Sequence, residues 1–184
     1  MPPAKSSKTP FLTDVTTLRQ RARASIEQGP ITEAYGADRK RVIEVLNQAL
    51  ATELVCVLRY KRHYFMAQGL NASGAAAEFL QHATEEQGHA DSIALRITQL
   101  QGEPDFNPDT LTARSHAEYI AGDSLREMIR EDLIAERVAI ESYSEIIKWL
   151  ADGDVTTRRL MEDILAVEEE HANDMLDLLE DIPG

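Results

Sequence analysis

Two histidines each stand three residues after a glutamate, in Glu86-Gln87-Gly88-His89 and in Glu168-Glu169-Glu170-His171. On a helix, that spacing puts carboxylate and imidazole on one face. The carboxylate can then bridge two metal ions while the imidazole caps one of them. Both glutamates interrupt apolar stripes of 3-4 spacing, one running Phe79, Ala83, Glu86, Ala90, Ile93 and the other Met161, Ile164, Glu168, His171, Met175. Glu53 interrupts a third stripe (Leu46, Ala49, Glu53, Val57, Tyr60), and Glu136 a fourth (Ile129, Leu133, Glu136, Ile140, Tyr143). Unpaired carboxylates are costly to bury, and the inner faces hold too few basic residues to compensate four. A pair of bound metal ions would do so. One glutamate from each of two helices plus Glu-x-x-His from each of the other two is a dinuclear carboxylate pattern. Hard oxygen donors with imidazole suit iron, with manganese as the alternative.

The spacing of these residues dictates the scaffold. All seven prolines lie at 2, 3, 10, 30, 104, 108 and 183, which leaves long stretches without a breaker. Four long helices are expected: Asp38–Gln68, capped by Gly69; Ser73–Gln101, stopped by Gly102; Ser124–Asp152, ended by Gly153; and Asp154–Asp181, terminated by Pro183. Each would be roughly 45 Å long at 1.5 Å per residue. The first two helices are joined by a short link, and so are the last two, which makes each pair antiparallel neighbours. Glu53 and Glu86 lie 33 residues apart, and Glu136 and Glu168 lie 32 apart, so all four meet at one level of a bundle. The segment from Glu103 to Asp123 reads as irregular and serves as one long crossover between the second and third helices. The predicted class is therefore an all-α four-helix bundle over 31–184. Residues 1–30 form an N-terminal extension: a tail over 1–11, then a short helix over 14–28 with Asp14 as N-cap and Gly29-Pro30 as stop.

Composition agrees. The 184 residues suit one domain with an extension, and 43 % hydrophobic content can fill its core. The net charge of -13 argues against general nucleic-acid binding and suits a handler of cations. The one cysteine, Cys56, rules out an intrachain disulfide framework and a thiolate zinc site, and suits a reducing compartment. No apolar run is long enough to span a membrane, and the first thirty residues lack a signal-peptide core, so the expected location is the cytoplasm.

With its four glutamates, two histidines and crossover, the stretch 38–181 resembles the ferritin-like superfamily, nearest to bacterioferritins and Dps-like miniferritins. Glu53 with Tyr60 seven residues on, Glu86…His89, Asp132…Glu136 and Glu168…His171 are similar to the bacterioferritin pattern. The resemblance implies that Glu53 and Glu136 are terminal ligands, that Glu86 and Glu168 bridge, and that His89 and His171 each bind one iron. It implies a ferroxidase that oxidises Fe2+ with O2 or H2O2 and stores Fe3+ in a homo-oligomeric cage. The alternative is a non-storage diiron or dimanganese oxidoreductase, such as a rubrerythrin-like peroxidase or a catalase. Haem is not expected, because Gln87 stands where bacterioferritins carry the haem-binding methionine. Only 13 residues follow His171, so no fifth helix is expected, and a 12-mer is favoured over a 24-mer.

Other residues are assigned by position. Tyr60 lies two turns after Glu53 and could donate to a carboxylate or supply an electron, or simply pack in the core. Asp132, one turn before Glu136, could hold the free ring N–H of a ligand histidine. His63, His82 and His116 read as surface or satisfied histidines, and Glu85, Glu169 and Glu170 as surface acids. Met66, Met128, Met161 and Met175 read as core filler. Trp149 is placed at a bundle end or subunit contact. Five basic residues against two acids in 1–30 make a basic extension too thin to predict DNA binding.

Overall fold

The computed structural model describes residues 13–68 and 72–182, and its regular structure there is helical throughout. The residues up to Tyr35 and those from Gly36 form two compact units. In the first, α1 (Val15–Arg21) starts where the Asp14 carboxylate accepts from the Thr17 N–H at 3.0 Å. The helix expected over 14–28 is shorter than predicted. It stops at Arg21, Ser25 takes a left-handed φ of 49°, and only a 3-10 turn follows at Ile26–Gln28. The reason is that α1 buries none of its residues, so nothing repays the cost of extending it.

In the second unit, α2 (Arg39–Met66) lies along α3 (Ala72–Gln99), and α5 (Leu125–Leu150) lies along α6 (Val155–Asp181). Contacts between α2 and α5 and between α3 and α6 close the four-helix bundle. Side-chain oxygens cap α2, α5 and α6: Asp38 accepts from the Arg41 N–H at 3.2 Å, Ser124 from Glu127 at 3.2 Å and Asp154 from Thr157 at 2.9 Å. Leu46, Phe79, Ile93, Ile97 and Ile129 are wholly buried, as the apolar stripes required, and so is Leu50. Met128, Met161 and Met175 are buried too. Met66 is 49 % exposed, because it falls off the buried face of α2 at the helix's last residue. The predicted caps Gly69 and Pro183, and the tail over 1–11, lie outside the described residues.

The ends of α3 and α5 turn differently from expectation. The left-handed residues are Gln101 (φ 60°) and Ala151 (φ 43°), not the glycines that follow them. Gly102 serves close packing instead, since a Cβ there would fall 2.8 Å from Ile43.

The crossover is more ordered than predicted. It holds a 3-10 turn at Pro108–Thr110 and a short helix, α4 (Leu111–Arg114). Side chains of α2 hook its backbone at successive levels. Asn47 accepts from the Asp105 N–H at 2.8 Å, and Thr52 accepts from the His116 N–H at 2.9 Å. Arg59 donates to the Glu118 carbonyl at 3.0 Å, and His63 lies 3.0 Å from the Ala121 carbonyl. Each hook satisfies a backbone group that a loop against a helix would otherwise leave unpaired. A buried ion pair ties α3 to the start of α6: Arg96 donates to Asp154 at 2.9 Å and to Thr157 Oγ1 at 2.8 Å.

Candidate metal centre

Glu53 comes from α2, Glu86 and His89 from α3, Glu136 from α5, and Glu168 and His171 from α6. The bundle brings all six together. The four glutamates are at most 1 % exposed, and His171 is 2 % exposed.

Their atoms sort into two halves. His89 Nδ1 lies 3.4 Å from Glu53 Oε2, 3.4 Å from Glu86 Oε2 and 3.0 Å from Glu168 Oε1. His171 Nδ1 lies 3.5 Å from Glu86 Oε1, 3.6 Å from Glu168 Oε2 and 3.9 Å from Glu136 Oε2. Glu86 and Glu168 thus each give one oxygen to either half, while Glu53 and Glu136 belong to one half apiece. In each set, one donor atom per residue lies within 4.8 Å of the others.

These atoms converge without hydrogen bonds. Glu53 Oε2, Glu86 Oε1, His89 Nδ1, Glu136 Oε2, both Glu168 oxygens and His171 Nδ1 are buried with no hydrogen-bond partner. Orphaned polar atoms are expensive in a protein interior. Two divalent cations would satisfy them and balance the four carboxylates, so the donor set fits a metal pair.

The electrostatics record the same crowding. Burial, and then the neighbouring Glu86, pushes the Glu53 carboxyl up to about 8. Burial, with Glu86 and Glu168 beside it, raises Glu136 well above the carboxylate range. Burial opposes the charged form of His89, but the adjacent Glu168, Glu53 and Glu86 carboxylates outweigh it and push the ring up to about 12. His171 is pushed up to about 11 in the same way, with Glu168 and Glu86 outweighing its burial. Protons on these groups offset part of the carboxylates' negative charge.

Neighbouring groups orient these side chains. Tyr60 donates to Glu136 Oε1, and Tyr143 donates to Glu53 Oε1. The two bonds cross the bundle between α2 and α5. Each occupies the outer oxygen of a terminal glutamate and leaves the inner one on the centre. Glu85, read from the sequence as a surface acid, lies with Oε2 2.8 Å from His171 Nε2. That contact turns His171 Nε2 to Glu85 and leaves Nδ1 facing the central carboxylates.

Asp132 does not hold a ligand histidine. It is wholly buried and binds Arg59 Nε at 2.7 Å and His63 Nδ1 at 2.7 Å. From α5, one turn before Glu136, its carboxylate reaches the α2 side chains that hook the crossover. His63 is therefore buried and satisfied. His82 is also buried, near Tyr60 and Asp174 and stacked on His171 at 3.9 Å between centroids. His116 is partly buried, and Trp149 is 48 % exposed.

Sequence reading missed Tyr143, Arg59 and the Glu85 contact. A signal for Tyr143 was present, since it follows Glu136 by seven residues as Tyr60 follows Glu53.

Comparison with known proteins points the same way. The Ferritin family model, a ferritin-like domain, matches residues 43–184. The bacterioferritin of Desulfovibrio desulfuricans is 33 % identical over 136 residues, which is 73 % of this chain and 72 % of the relative. Its structure, solved with the diiron site in different catalytic states, superposes with a TM-score of 0.69 at 29 % identity, covering 77 % of this chain and 80 % of that one. A dodecameric thioferritin, the bacterioferritin-related protein of Bacteroides fragilis, gives a TM-score of 0.76 at 32 % identity over 79 % of this chain and 88 % of its own. Dps from Thermosynechococcus elongatus shares the fold, with a TM-score of 0.73 at 20 % identity over 79 % and 92 %.

Proposed function

The chain belongs to the ferritin family, and from that premise we propose that it binds Fe2+ at the six-residue centre, oxidises it and stores the Fe3+ in a cage of its own copies. The observation that carries the reading is the pair of half-sites. Two shared carboxylates, each with one oxygen turned to either half, would hold two irons side by side. Glu53 with His89 and Glu136 with His171 complete the halves.

Iron is here substrate and cargo. Each of two Fe2+ ions gives up one electron, so a pair reduces O2 to H2O2, or H2O2 to two waters, without releasing a one-electron radical. The protein's part is positional. Tyr60 and Tyr143 fix the terminal carboxylates, Glu85 fixes the His171 ring, and burial excludes water from the donors. The ligand set also suits manganese, but oxygen and imidazole donors with two shared carboxylates suit a pair of irons. The dodecameric relative supports twelve copies over twenty-four. The single cysteine supports work in the reducing cytoplasm.

Size-exclusion chromatography with light scattering, followed by Fe2+ loading with O2 or H2O2, tests the reading. The expected result is an assembly of about twelve chains that takes up many irons per subunit. The variants Glu53→Ala and Glu168→Ala should assemble and oxidise Fe2+ no faster than buffer. A monomer or dimer that turns over peroxide without taking up iron would overturn storage in favour of the non-storage oxidoreductase. Unchanged oxidation in both variants would overturn the assigned centre.

A further inference from the structure

Beside the centre lies a second group of metal-ligand side chains. His82 sits on α3 one turn before Glu86. Its ring is wholly buried, yet Nε2 faces two partly exposed carboxylates, at 3.3 Å from Asp174 Oδ2 on α6 and 3.8 Å from Glu78 Oε2 on α3. One donor atom from each of the three lies within 4.8 Å of the other two. Among the described residues, no arginine or lysine forms an ion pair with Glu78, Glu85 or Asp174; their ion-pair partners are histidines, and Glu85 also accepts from Gln81 Nε2 at 3.2 Å.

His82 is also continuous with the centre. Its ring stacks on His171 at 3.9 Å between centroids. His82, Glu85 and His171 form a further set whose donor atoms lie within 4.8 Å of one another. The sets thus share residues in sequence. Glu78, His82 and Asp174 form the outer one, and His82, Glu85 and His171 the middle one. His171 then belongs to the half-site of Glu86, Glu136 and Glu168. The outer carboxylates are the solvent end, with side chains 36 % and 47 % exposed, and the inner ones are dry.

We infer that Glu78, His82 and Asp174 form a third divalent-cation site, from which a cation passes by Glu85 and His171 into the centre. The inference rests on the proposed function, because the destination is that centre. One imidazole with two carboxylates, drawn from two helices, suits a first-row divalent cation and leaves open positions for water. Those open positions favour a site of passage over one of permanent retention.

Co2+, which binds the same donors and is not consumed, is the probe. Metal-free full-length protein is titrated by equilibrium dialysis, alongside Glu78→Gln/Asp174→Asn and, separately, Glu53→Ala/Glu136→Ala. Both outer residues are partly exposed, so the first double variant should assemble as the parent does. The expected result is one fewer tight Co2+ per subunit in Glu78→Gln/Asp174→Asn, with the central pair retained. At less than one Fe2+ per subunit, its initial oxidation rate should fall severalfold. Equal Co2+ counts in the parent and this variant overturn the third site and leave the centre standing. One fewer Co2+ with an unchanged oxidation rate overturns the passage. If Glu53→Ala/Glu136→Ala binds as many Co2+ as the parent, the central reading is what fails.

Discussion

At the residue scale, hydrogen bonds to Glu53, Glu136 and His171 each leave one donor atom of that side chain turned to the centre. Tyr143 is the clearest case, since its hydroxyl donates to the outer oxygen of Glu53 from the opposite helix. Removing it should leave Glu53 buried but free to rotate. Tyr143→Phe is therefore expected to fold and assemble, and to bind Co2+ at the centre about 10-fold to 100-fold more weakly, the usual loss for a group that orients a ligand. Tyr60→Phe should do the same through Glu136. A titration showing unchanged affinity in both variants would mean that helix packing alone orients the terminal glutamates. The chain places each tyrosine seven residues after a terminal glutamate. That spacing marks both as facing the core, but it does not say that each serves the other helix's glutamate.

At the element scale, the bundle is fixed by packing along α2–α3 and α5–α6 and by polar ties at particular levels. Arg96 and Asp154 are the tie at the start of α6. Asp154 caps the helix through Thr157 and takes the Arg96 guanidinium, and both side chains are buried. Asp154→Ala removes a cap worth about 1 kcal/mol. It also strands a buried charge, which typically costs about 3–5 kcal/mol. A loss of about 4–6 kcal/mol in denaturant unfolding is expected, and most of it should return in Arg96→Met/Asp154→Leu, where no charge remains to be stranded. If the second variant is as unstable as the first, the helix start itself is what the pair supports. The hooks from α2 show a similar economy, because Asn47, Thr52, Arg59 and His63 hold a crossover that has little regular structure of its own.

At the scale of the whole molecule, the fold concentrates negative charge that its own cations do not balance, so folding stability is coupled to protons and metal. Burial first, and Glu86 next, raise Glu53 from 4.5 to about 8. The stability that this group contributes is complete below pH 4.5 and is lost as the pH rises through 8. His89 and His171, raised from 6.5 to about 12 and about 11, act with the same sign. Their contribution is complete below pH 6.5 and is lost as the pH rises through those values. The thermal midpoint of metal-free protein should therefore fall between pH 5 and pH 8. Metal binding displaces these protons, so the loaded protein should not show that fall. Calorimetry at several pH values with and without Co2+ checks both halves. A metal-free midpoint that rises over this range would contradict the assignment of the four buried glutamates as an uncompensated cluster.

How much of this was legible in the sequence follows from which properties are local. A helix period is local, so the residues sharing a face with Glu53, Glu86, Glu136 and Glu168 could be read from spacing, and nearly equal distances across the two hairpins, 33 and 32 residues, put them at one level. Caps at Asp14, Asp38, Ser124 and Asp154 are local too. The Asp132 expectation failed because its partner was a matter of rotation between helices: α5 presents that carboxylate to Arg59 and His63 of α2. His82 looked like an ordinary satisfied histidine until α6 brought Asp174 and His171 beside it. The sequence by itself determined the ligand types, their faces and their level, because 3.6 residues make a turn wherever a helix forms. Only the tertiary structure decided which oxygen of each shared glutamate faces which imidazole, which tyrosine crosses to which carboxylate, and that Glu78, His82 and Asp174 cluster beside the centre. Those facts depend on the relative rotation and height of packed helices, which the interlocking of many side chains sets together.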